Sequence, residues 1–171
     1  ETGPIQLLAG MEELEYRKDM DGVEYLRRSL AASQGDITLV TIGPLTNVGV
    51  LLCKHPEVKG KIKEIVMMGG AYYMHYNEWN ILCDPEAAHI VYSSGVPIRA
   101  IGLDVTTRCQ VNDQLVTLFR NSKKPEVELL ADLLTCYYEN RGRHTFLHDP
   151  MAVFAVYDKD IITYQGEDIH V

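Results

Sequence analysis

Three short apolar runs, each followed by a helical pattern, constrain the fold of this chain more than any other feature. The runs cover residues 37–42, 62–68 and 97–103, and they are rich in β-branched residues. Runs of this length without polar alternation are typical of strands that are buried on both faces of a parallel sheet. Alternation of strands and helices then predicts right-handed crossovers and an α/β fold with an open, mostly parallel sheet and flanking helices.

The helical patterns lie before, between and after these strands. Residues 45–53 and 84–94 follow the first two strands, and each pattern has a proline near its start. A helix ending near Gly35 precedes the first strand. Three more helices, one loop and a final strand-like segment complete the chain: residues 112–120, 125–139 and 150–157, the loop 140–147, and the tail. The chain has no repeats or linkers, so residues 1–171 are predicted to form a single α/β domain.

Charge and cysteine spacing exclude several classes of function. Sixteen basic residues against 24 acidic ones give a formal charge of −8, which argues against a nucleic-acid partner and favours a small molecule or a protein. No apolar run approaches the roughly 20 residues of a membrane helix. The four cysteines are widely spaced without a C-x-x-C pair, which makes a zinc site unlikely and favours reduced thiols in a cytoplasmic protein.

Residues 77–88 contain a polar segment followed by a helix-start signal. Asn77, Glu78 and Asn80 surround Trp79, and Asp-Pro-Glu follows at residues 84–86. The aspartate of that signal can cap free backbone amides, while the proline fits the first helical position. The three polar residues are therefore predicted to lie in a loop held by the next helix. Such a loop suits a polyhydroxylated ligand such as a sugar.

Unusual residues also follow each predicted strand. Residues 43–44 follow the first strand, residues 69–70 the second, and Asp104 the third. Open α/β sheets bind ligands at the carboxyl ends of their strands, so this placement predicts a site. Each feature also has a structural interpretation. The glycines let the backbone turn sharply, and Asp104 can cap a helix or accept hydrogen bonds from backbone amides.

The sequence His148-Asp149-Pro150 supports two interpretations equally. Asp149 can be the N-cap of a helix that Pro150 begins. Alternatively, a histidine beside an aspartate at the edge of a site serves proton transfer or binding of a hard metal ion. His75 and His144 lie in polar loops, where they can line a pocket. The other histidines are expected at or near the surface: His55, His89 and His170.

Five segments together resemble the inosine–uridine preferring nucleoside hydrolases, a family of calcium-dependent N-ribohydrolases. They are residues 43–47, 67–70, 78–80 with 84–88, 102–106, and 148–150. Their order and approximate spacing agree with the family from about residue 36 to the end of the chain. The resemblance implies a Rossmann-like nucleoside hydrolase fold, hydrolysis of ribonucleosides to ribose and free base, and assembly as a homodimer or homotetramer.

The resemblance also implies which residues bind metal and ribose. Asp149 resembles the family's carboxylate ligand to calcium, and the backbone carbonyl of Ile42 is similar in position to another ligand. Glu78 and Asn80 resemble the residues that bind the ribose hydroxyls, and Asn77 is expected to share that role.

The base side of the implied site rests on three further residues. His148 resembles the histidine placed near the leaving base, where a proton would assist departure. Tyr138 and His144 are the candidates for contacts to the base. The loop that contains them aligns less directly with the family than the other segments do.

One family feature has no counterpart here. The family opens with a strand that ends in Asp-x-Asp-x-x-x-Asp-Asp, which supplies most metal ligands and the water-activating base; Asp19 and Asp21 do not match it. We therefore expect the chain to be the carboxyl-terminal portion of a larger nucleoside hydrolase domain, with an incomplete calcium ligand set. The alternatives are a non-catalytic nucleoside- or sugar-binding relic, and a purely structural or interaction role.

Overall fold

The sheet is formed by three parallel strands in the order β1-β2-β3, as seen in a computed structural model that describes residues 19–166 and 169. Strand β1 is Ile37–Thr41, β2 is Ile62–Met68 and β3 is Ile98–Ile101. The predicted strands and the α/β class with flanking helices are confirmed. The third strand is shorter than predicted because Leu103 already begins a helix.

The helices match the sequence patterns, with three differences. In chain order they are α1 (Gly22–Ala32), α2 (Thr46–Lys54), α3 (Trp79–Cys83), α4 (Pro85–Tyr92), α5 (Leu103–Thr106), α6 (Asp113–Arg120), α7 (Pro125–Arg141) and α8 (His148–Tyr157), with a 3₁₀ segment at Pro56–Lys61. The short helices α3 and α5 were not predicted, and α8 begins two residues earlier than expected. The predicted strand after α8 is wrong for the described residues 158–166, where Ile162 instead packs into the core individually.

Two apolar clusters cover the two faces of the sheet. Ile65 and Met67 of β2 face one cluster, which is closed by α1, α2 and α4. Val66 and Met68 face the other, which is closed by α8. Since alternate side chains of a strand point to opposite faces, a strand covered on both sides is apolar throughout. This explains why the last four residues of β2, from Ile65 to Met68, are all apolar and buried.

Helices α2 and α4 pack on each other through a glycine. A Cβ atom at Gly49 would lie 2.9 Å from the Cβ atom of Ala87 and 3.0 Å from its Cα atom. Real Cβ atoms do not approach each other this closely, so the contact between the two helices requires a glycine at position 49.

Helix α8 is fixed to the sheet by an ion pair. The Arg99 Nε atom of β3 lies 2.8 Å from Glu64 Oε2 of β2, and Arg99 Nη1 donates to the Ala155 carbonyl oxygen of α8 at 2.7 Å. The guanidinium group also lies over the ring of Tyr164, 5.5 Å from its centroid. The hydrogen bond from Arg99 holds the pKa of Glu64 below its usual range. A charged contact therefore joins two strands to the carboxyl-terminal half of α8.

Two findings concern the predicted class of protein. Within the part of the chain that the structure describes, no helix has both the length and the apolarity needed to cross a membrane. The four cysteines are free thiols, three of them exposed and Cys109 half-buried.

Candidate active site

A cavity of about 620 Å³ opens at the carboxyl edge of the sheet. Ile42, Met68 and Leu103, which lie at the ends of the three strands or within two residues of them, line this cavity. The cavity therefore lies at the strand ends, where the sequence predicted a site. Its volume falls in the range of small-molecule sites. The remaining walls come from the segment before α3, from the end of α7 with the loop that follows, and from the start of α8.

Glu78 is the N-cap of α3 and is only 5% exposed. Its Oε1 atom accepts a hydrogen bond from the Asn80 amide at 3.0 Å, and Oε2 accepts from the amides of Ile81 and Gly70, both at 3.1 Å. A carboxylate offers about four acceptor positions, so one remains for a ligand in the cavity that Glu78 lines. The prediction of one continuous loop is wrong, because this capping interaction begins a helix at Trp79.

Asn80 lies in the first turn of α3 and faces the cavity. Its Nδ2 atom donates to the Met68 carbonyl oxygen at 3.1 Å, which fixes the amide plane. Its Oδ1 atom accepts no hydrogen bond from the described residues and is the atom that can accept one from a ligand. Asn77 is exposed and does not line the cavity, so the structure does not bring it together with Glu78 and Asn80.

Asp84 has the capping role that the sequence predicted. Its Oδ1 atom accepts from the Ala87 amide at 2.9 Å, and its Oδ2 atom accepts from the hydroxyl of Thr46 at the start of α2. These bonds, the one from Thr46 most of all, hold the pKa of Asp84 below its usual value. Asp84 therefore ties the start of α4 to the start of α2 and does not line the cavity.

Asp149 is not an N-cap. Helix α8 begins one residue earlier, at His148, and its N-cap Leu147 has no side chain that can bond to a backbone amide. The N-cap interpretation of Asp149 is therefore wrong, because the residue already lies in the first helical turn. Its carboxylate makes no hydrogen bond to any described residue and lines the cavity. Burial raises its pKa and the nearby Glu78 charge adds to this, while His148 acts in the opposite direction.

His148 is held from two sides. Its Nδ1 atom lies 2.7 Å from the Oγ1 atom of Thr106, the last residue of α5. The ring of Phe146 is tilted against it, with 5.5 Å between the ring centroids. His148 lines the cavity beside Asp149, so the structure brings the predicted leaving-base histidine to the predicted metal-binding carboxylate.

Asp104 serves the backbone, as one of its two interpretations proposed. Its carboxylate accepts from the amides of Tyr72 and Tyr73, both at 2.9 Å. The neighbouring Leu103 amide donates to the Gly70 carbonyl oxygen at 2.9 Å. Helix α5 therefore fixes the turn that leads from β2 into the wall containing Glu78.

The wall next to α7 contains His144 but not Tyr138. His144 lines the cavity, its Nε2 atom lies 3.1 Å from Asp113 Oδ1, and its ring stacks on Tyr138 at 4.5 Å between centroids. Tyr137 faces the cavity in place of Tyr138, and Arg143 also lines it. Tyr138 therefore supports His144 from behind.

His75, which the sequence offered as a pocket residue, is exposed and does not line the cavity. His55 pairs with Glu57, and His89 is exposed on α4, as expected of residues at or near the surface. His170 lies outside the described residues.

The two residues for which the family resemblance implies metal-ligand roles, Ile42 and Asp149, line the same cavity. Calcium takes six to eight oxygen ligands. Within residues 19–166 and 169, no group of three His, Cys, Asp or Glu side chains is placed to hold a metal ion. These residues alone do not fit a calcium site.

Several residues of the cavity, or directly behind it, were not predicted from the sequence. The buried Thr106, which contacts His148, lies in the segment 102–106, where Asp104 is the more obvious ligand because it is a carboxylate. The sequence predicts Tyr138, and not Tyr137, as the base contact, since the rotation of α7 cannot be read from a doublet of tyrosines. Phe146 and Arg143 lie in a loop whose path depends on an antiparallel bridge between Gln110 and Phe146.

Comparisons with known proteins agree with this architecture. Residues 4–171 match the family described as inosine-uridine preferring nucleoside hydrolase. The chain is 38% identical over 156 residues to the pyrimidine-specific ribonucleoside hydrolase RihA of Shewanella woodyi, covering 85% of this chain and 50% of the relative. It is 41% identical over 128 residues to the pyrimidine-specific ribonucleoside hydrolase RihB of Escherichia coli, covering 70% and 41% respectively.

Solved structures give the same result. A purine-preferring ribonucleoside hydrolase from Gardnerella vaginalis superimposes with a TM-score of 0.77 at 32% identity, covering 87% of this chain and 51% of that one. A plant nucleoside hydrolase gives a TM-score of 0.78 at 26% identity, covering 89% and 51%. The chain spans about half the length of these relatives. On the match over residues 4–171, this chain belongs to the inosine–uridine preferring nucleoside hydrolase family.

Proposed function

We propose that the protein to which this chain belongs hydrolyses the N-glycosidic bond of ribonucleosides, releasing ribose and the free base. One observation carries the proposal. A single cavity at the strand ends contains sugar-type acceptors, Glu78 and Asn80, together with His148 and the half-buried Asp149. The names of the relatives, which act on ribonucleosides, support the same reaction class.

The sugar end of the proposed site consists of acceptors. Glu78 keeps one acceptor position and Asn80 keeps its Oδ1 atom, and ribose hydroxyls are donors that can use both. Both groups are fixed by backbone hydrogen bonds, so they need no reorganisation when a sugar binds. Breaking a glycosidic bond builds positive charge on the sugar ring. The fixed negative charge of Glu78 and the carboxylate of Asp149 therefore favour the transition state over the bound substrate.

The base end of the proposed site contains a hydrogen-bonding ring and aromatic surface. The departing base gains negative charge, and a donor beside it stabilises that charge. His148 lines the cavity in a fixed orientation and is proposed to act as this donor. Tyr137, Phe146 and His144 line the cavity nearby and offer ring surfaces to a heterocyclic base.

We propose calcium binding only in part, because the described residues supply only some of the ligands. Asp149 and the carbonyl oxygen of Ile42 are proposed to supply two of its oxygen ligands, with the others coming from outside the described residues. When bound beside Asp149, a divalent cation would supply one thing that these residues lack, a lower pKa of a coordinated water. The raised pKa of Asp149 supports this role, since a buried carboxylate without a hydrogen-bond donor is stabilised by a cation.

Location and assembly complete the proposal. Four free cysteines support a reducing compartment such as the cytoplasm.

Three leucines of α7 support self-association as a homo-oligomer, because they are 42–49% exposed: Leu129, Leu130 and Leu133. Light scattering of the purified protein tests this part, and a monomer at every concentration would contradict it.

The test of function measures turnover and binding on the same preparations. We expect inosine or uridine to be hydrolysed, with release of reducing sugar, and Asn80→Ala to raise KM by about tenfold through loss of hydrogen bonds to the ribose. Asn77→Ala is the matched control, since Asn77 is exposed outside the cavity and should leave KM unchanged. If calorimetry detects nucleoside binding but no base is released, the protein binds nucleosides without hydrolysing them, as the relic hypothesis states. Neither binding nor turnover would reject both.

A further inference from the structure

The hydroxyl of Thr106 is fully buried and lies against His148. Thr106 is 0% exposed, and its Oγ1 atom is 2.7 Å from Nδ1 of the imidazole ring. Among the described residues this is the only hydrogen bond that the hydroxyl makes. The pair is therefore a closed unit in which the position of each proton can be deduced from hydrogen-bonding capacity.

Two arrangements of protons are possible in this pair. If Nδ1 of His148 carries the ring proton, the Thr106 hydroxyl accepts it, and the hydroxyl's own proton has no acceptor. A buried donor without an acceptor is strongly disfavoured. If the hydroxyl donates to Nδ1, its proton has an acceptor. Only the hydroxyl oxygen then has an unused acceptor position, which proteins tolerate better than an unused donor. The second arrangement is favoured.

We propose that Thr106 is a positioning residue that acts through His148. Its hydroxyl donates to Nδ1, so the neutral ring carries its proton on Nε2, the nitrogen left free for a ligand in the cavity. Phe146 packs on the ring and limits its rotation. Thr106 does not touch the substrate. Its effect is to determine which nitrogen of the imidazole ring carries the proton and donates a hydrogen bond.

The consequence for the reaction rests on the proposed nucleoside hydrolysis. A departing base gains electron density, so an N–H group directed at it is stabilising, whereas a ring lone pair directed at it would be repulsive. Thr106 ensures that the base meets the N–H group. The proposal concerns a hydrogen bond only and requires no transfer of the Nε2 proton.

Ring nitrogen NMR of the protein tests the assignment without any need for activity. With ¹⁵N-labelled histidine at about pH 9, where imidazole is ordinarily neutral, His148 should show a protonated Nε2 and an unprotonated, hydrogen-bonded Nδ1. Thr106→Ser should preserve both signals. Thr106→Val should move the Nδ1 signal to the position of a nitrogen that accepts no hydrogen bond. A proton on Nδ1 in the unaltered protein would overturn the proposal, even if the valine variant does not fold.

Kinetics provide the second arm. Thr106→Val should lower kcat by about tenfold with KM changed less than about twofold, while Thr106→Ser stays within about threefold. In a His148→Ala background, Thr106→Val should have no further effect; an equal loss in both backgrounds would show a merely structural role and contradict the proposal. If the unaltered protein shows no turnover, the proposed function fails, while the ring spectra still decide the role of Thr106.

Discussion

Two Asp-Pro dipeptides begin helices in this protein, and they have opposite roles. Asp84 is the N-cap of α4, bonded to the Ala87 amide and the Thr46 hydroxyl, and its pKa is lowered. Asp149 lies inside the first turn of α8, makes no hydrogen bond to the described residues, and has a raised pKa. Asp84 lies one residue before its helix begins, whereas Asp149 lies one residue after its helix begins. A difference of two positions relative to the helix start therefore separates a structural carboxylate from one that is available to a ligand.

The two helices are also held in place by different forces. Helix α4 packs on α2 through the close contact of Gly49 with Ala87. Helix α8 packs against a smaller apolar cluster. It is also held by Arg99, which pairs with Glu64 and donates a hydrogen bond to the α8 backbone. Site-bearing helices need a defined orientation more than a large buried area, and directional charged bonds provide it.

The largest expected contrast between the two aspartates is in activity. Asp149→Asn should reduce nucleoside hydrolysis by about 10²–10³-fold, because it removes charge from the cavity where positive charge develops. Asp84→Asn should stay within about threefold, since asparagine is also a good N-cap. The ratio of ribose release for the two variants is the measurement. Equal effects would show that the two helix starts are not functionally distinct.

The next contrast concerns the charged anchor of α8. Glu64→Gln should lower the free energy of unfolding by about 2–3 kcal/mol at neutral pH, because it leaves Arg99 without its charge partner in a largely buried position. Arg99 lowers the pKa of Glu64, so the ion pair stabilises fully above the ordinary glutamate pKa and loses its effect as pH falls through the lowered value.

The difference between Glu64→Gln and the unaltered protein should therefore shrink in acid, as measured by urea unfolding across pH. Glu57→Gln is the control, since Glu57 is 61% exposed in its pair with His55 and should change stability by less than about 0.5 kcal/mol. A Glu64→Gln effect that is constant with pH would argue for packing in place of charge.

The packing side of the comparison is tested at Gly49. Gly49→Ala should destabilise by about 1–3 kcal/mol, because its Cβ atom would overlap Ala87 and force α2 away from α4. Gly60→Ala is the matched control, since no atom lies within 4 Å of a Cβ at that position. Thermal unfolding of the two variants measures the difference. An unchanged melting temperature for Gly49→Ala would show that the helices separate without penalty.

The smallest expected effect is on the melting temperature, which should change in opposite directions when the two aspartates are substituted. Burial raises the pKa of Asp149, so its charged form destabilises the fold at neutral pH, and Asp149→Asn should raise the melting temperature by about 2 °C in chelator-treated buffer. This gain should vanish below about pH 4, where the carboxyl is protonated in both states. Asp84→Ala should lower the melting temperature by a few degrees through loss of the cap. Shifts of the same sign would refute the comparison.

The fold could be predicted from the sequence where one force dominates. Strand β2 is covered on both faces, so the apolar residues from Ile65 to Met68 have few other interpretations. Helices α3 and α5 have five and four residues, too few to show a helical period, and α3 exists because Glu78 caps it. The predicted strand near Ile162 failed because an apolar residue can be buried without pairing a strand.

The parts of the site that depend on position along the chain could be predicted, and the parts that depend on how a helix is turned about its axis could not. The strand ends predict where the cavity opens, and the family resemblance, which assigns roles by position along the chain, points to Ile42, Asn80 and Asp149. Whether Tyr137 or Tyr138 faces the cavity depends on how α7 is turned about its axis, and that is decided by its tertiary contacts. The hydrogen bond between Thr106 and His148 joins residues 42 positions apart, which no local pattern can reveal.

Helix α5 has a consequence for how this kind of enzyme can diverge. Its four residues fix the turn before Glu78 through Asp104, and they fix His148 through Thr106. A substitution there changes the surroundings of both Glu78 and His148 at once. The segment from α6 to the loop after α7 meets the cavity through Tyr137, Arg143 and His144, without bonds to α5's side chains. If the protein is the proposed nucleoside hydrolase, changes in base preference should therefore accumulate in that segment, while the proposed ribose end of the cavity stays constant.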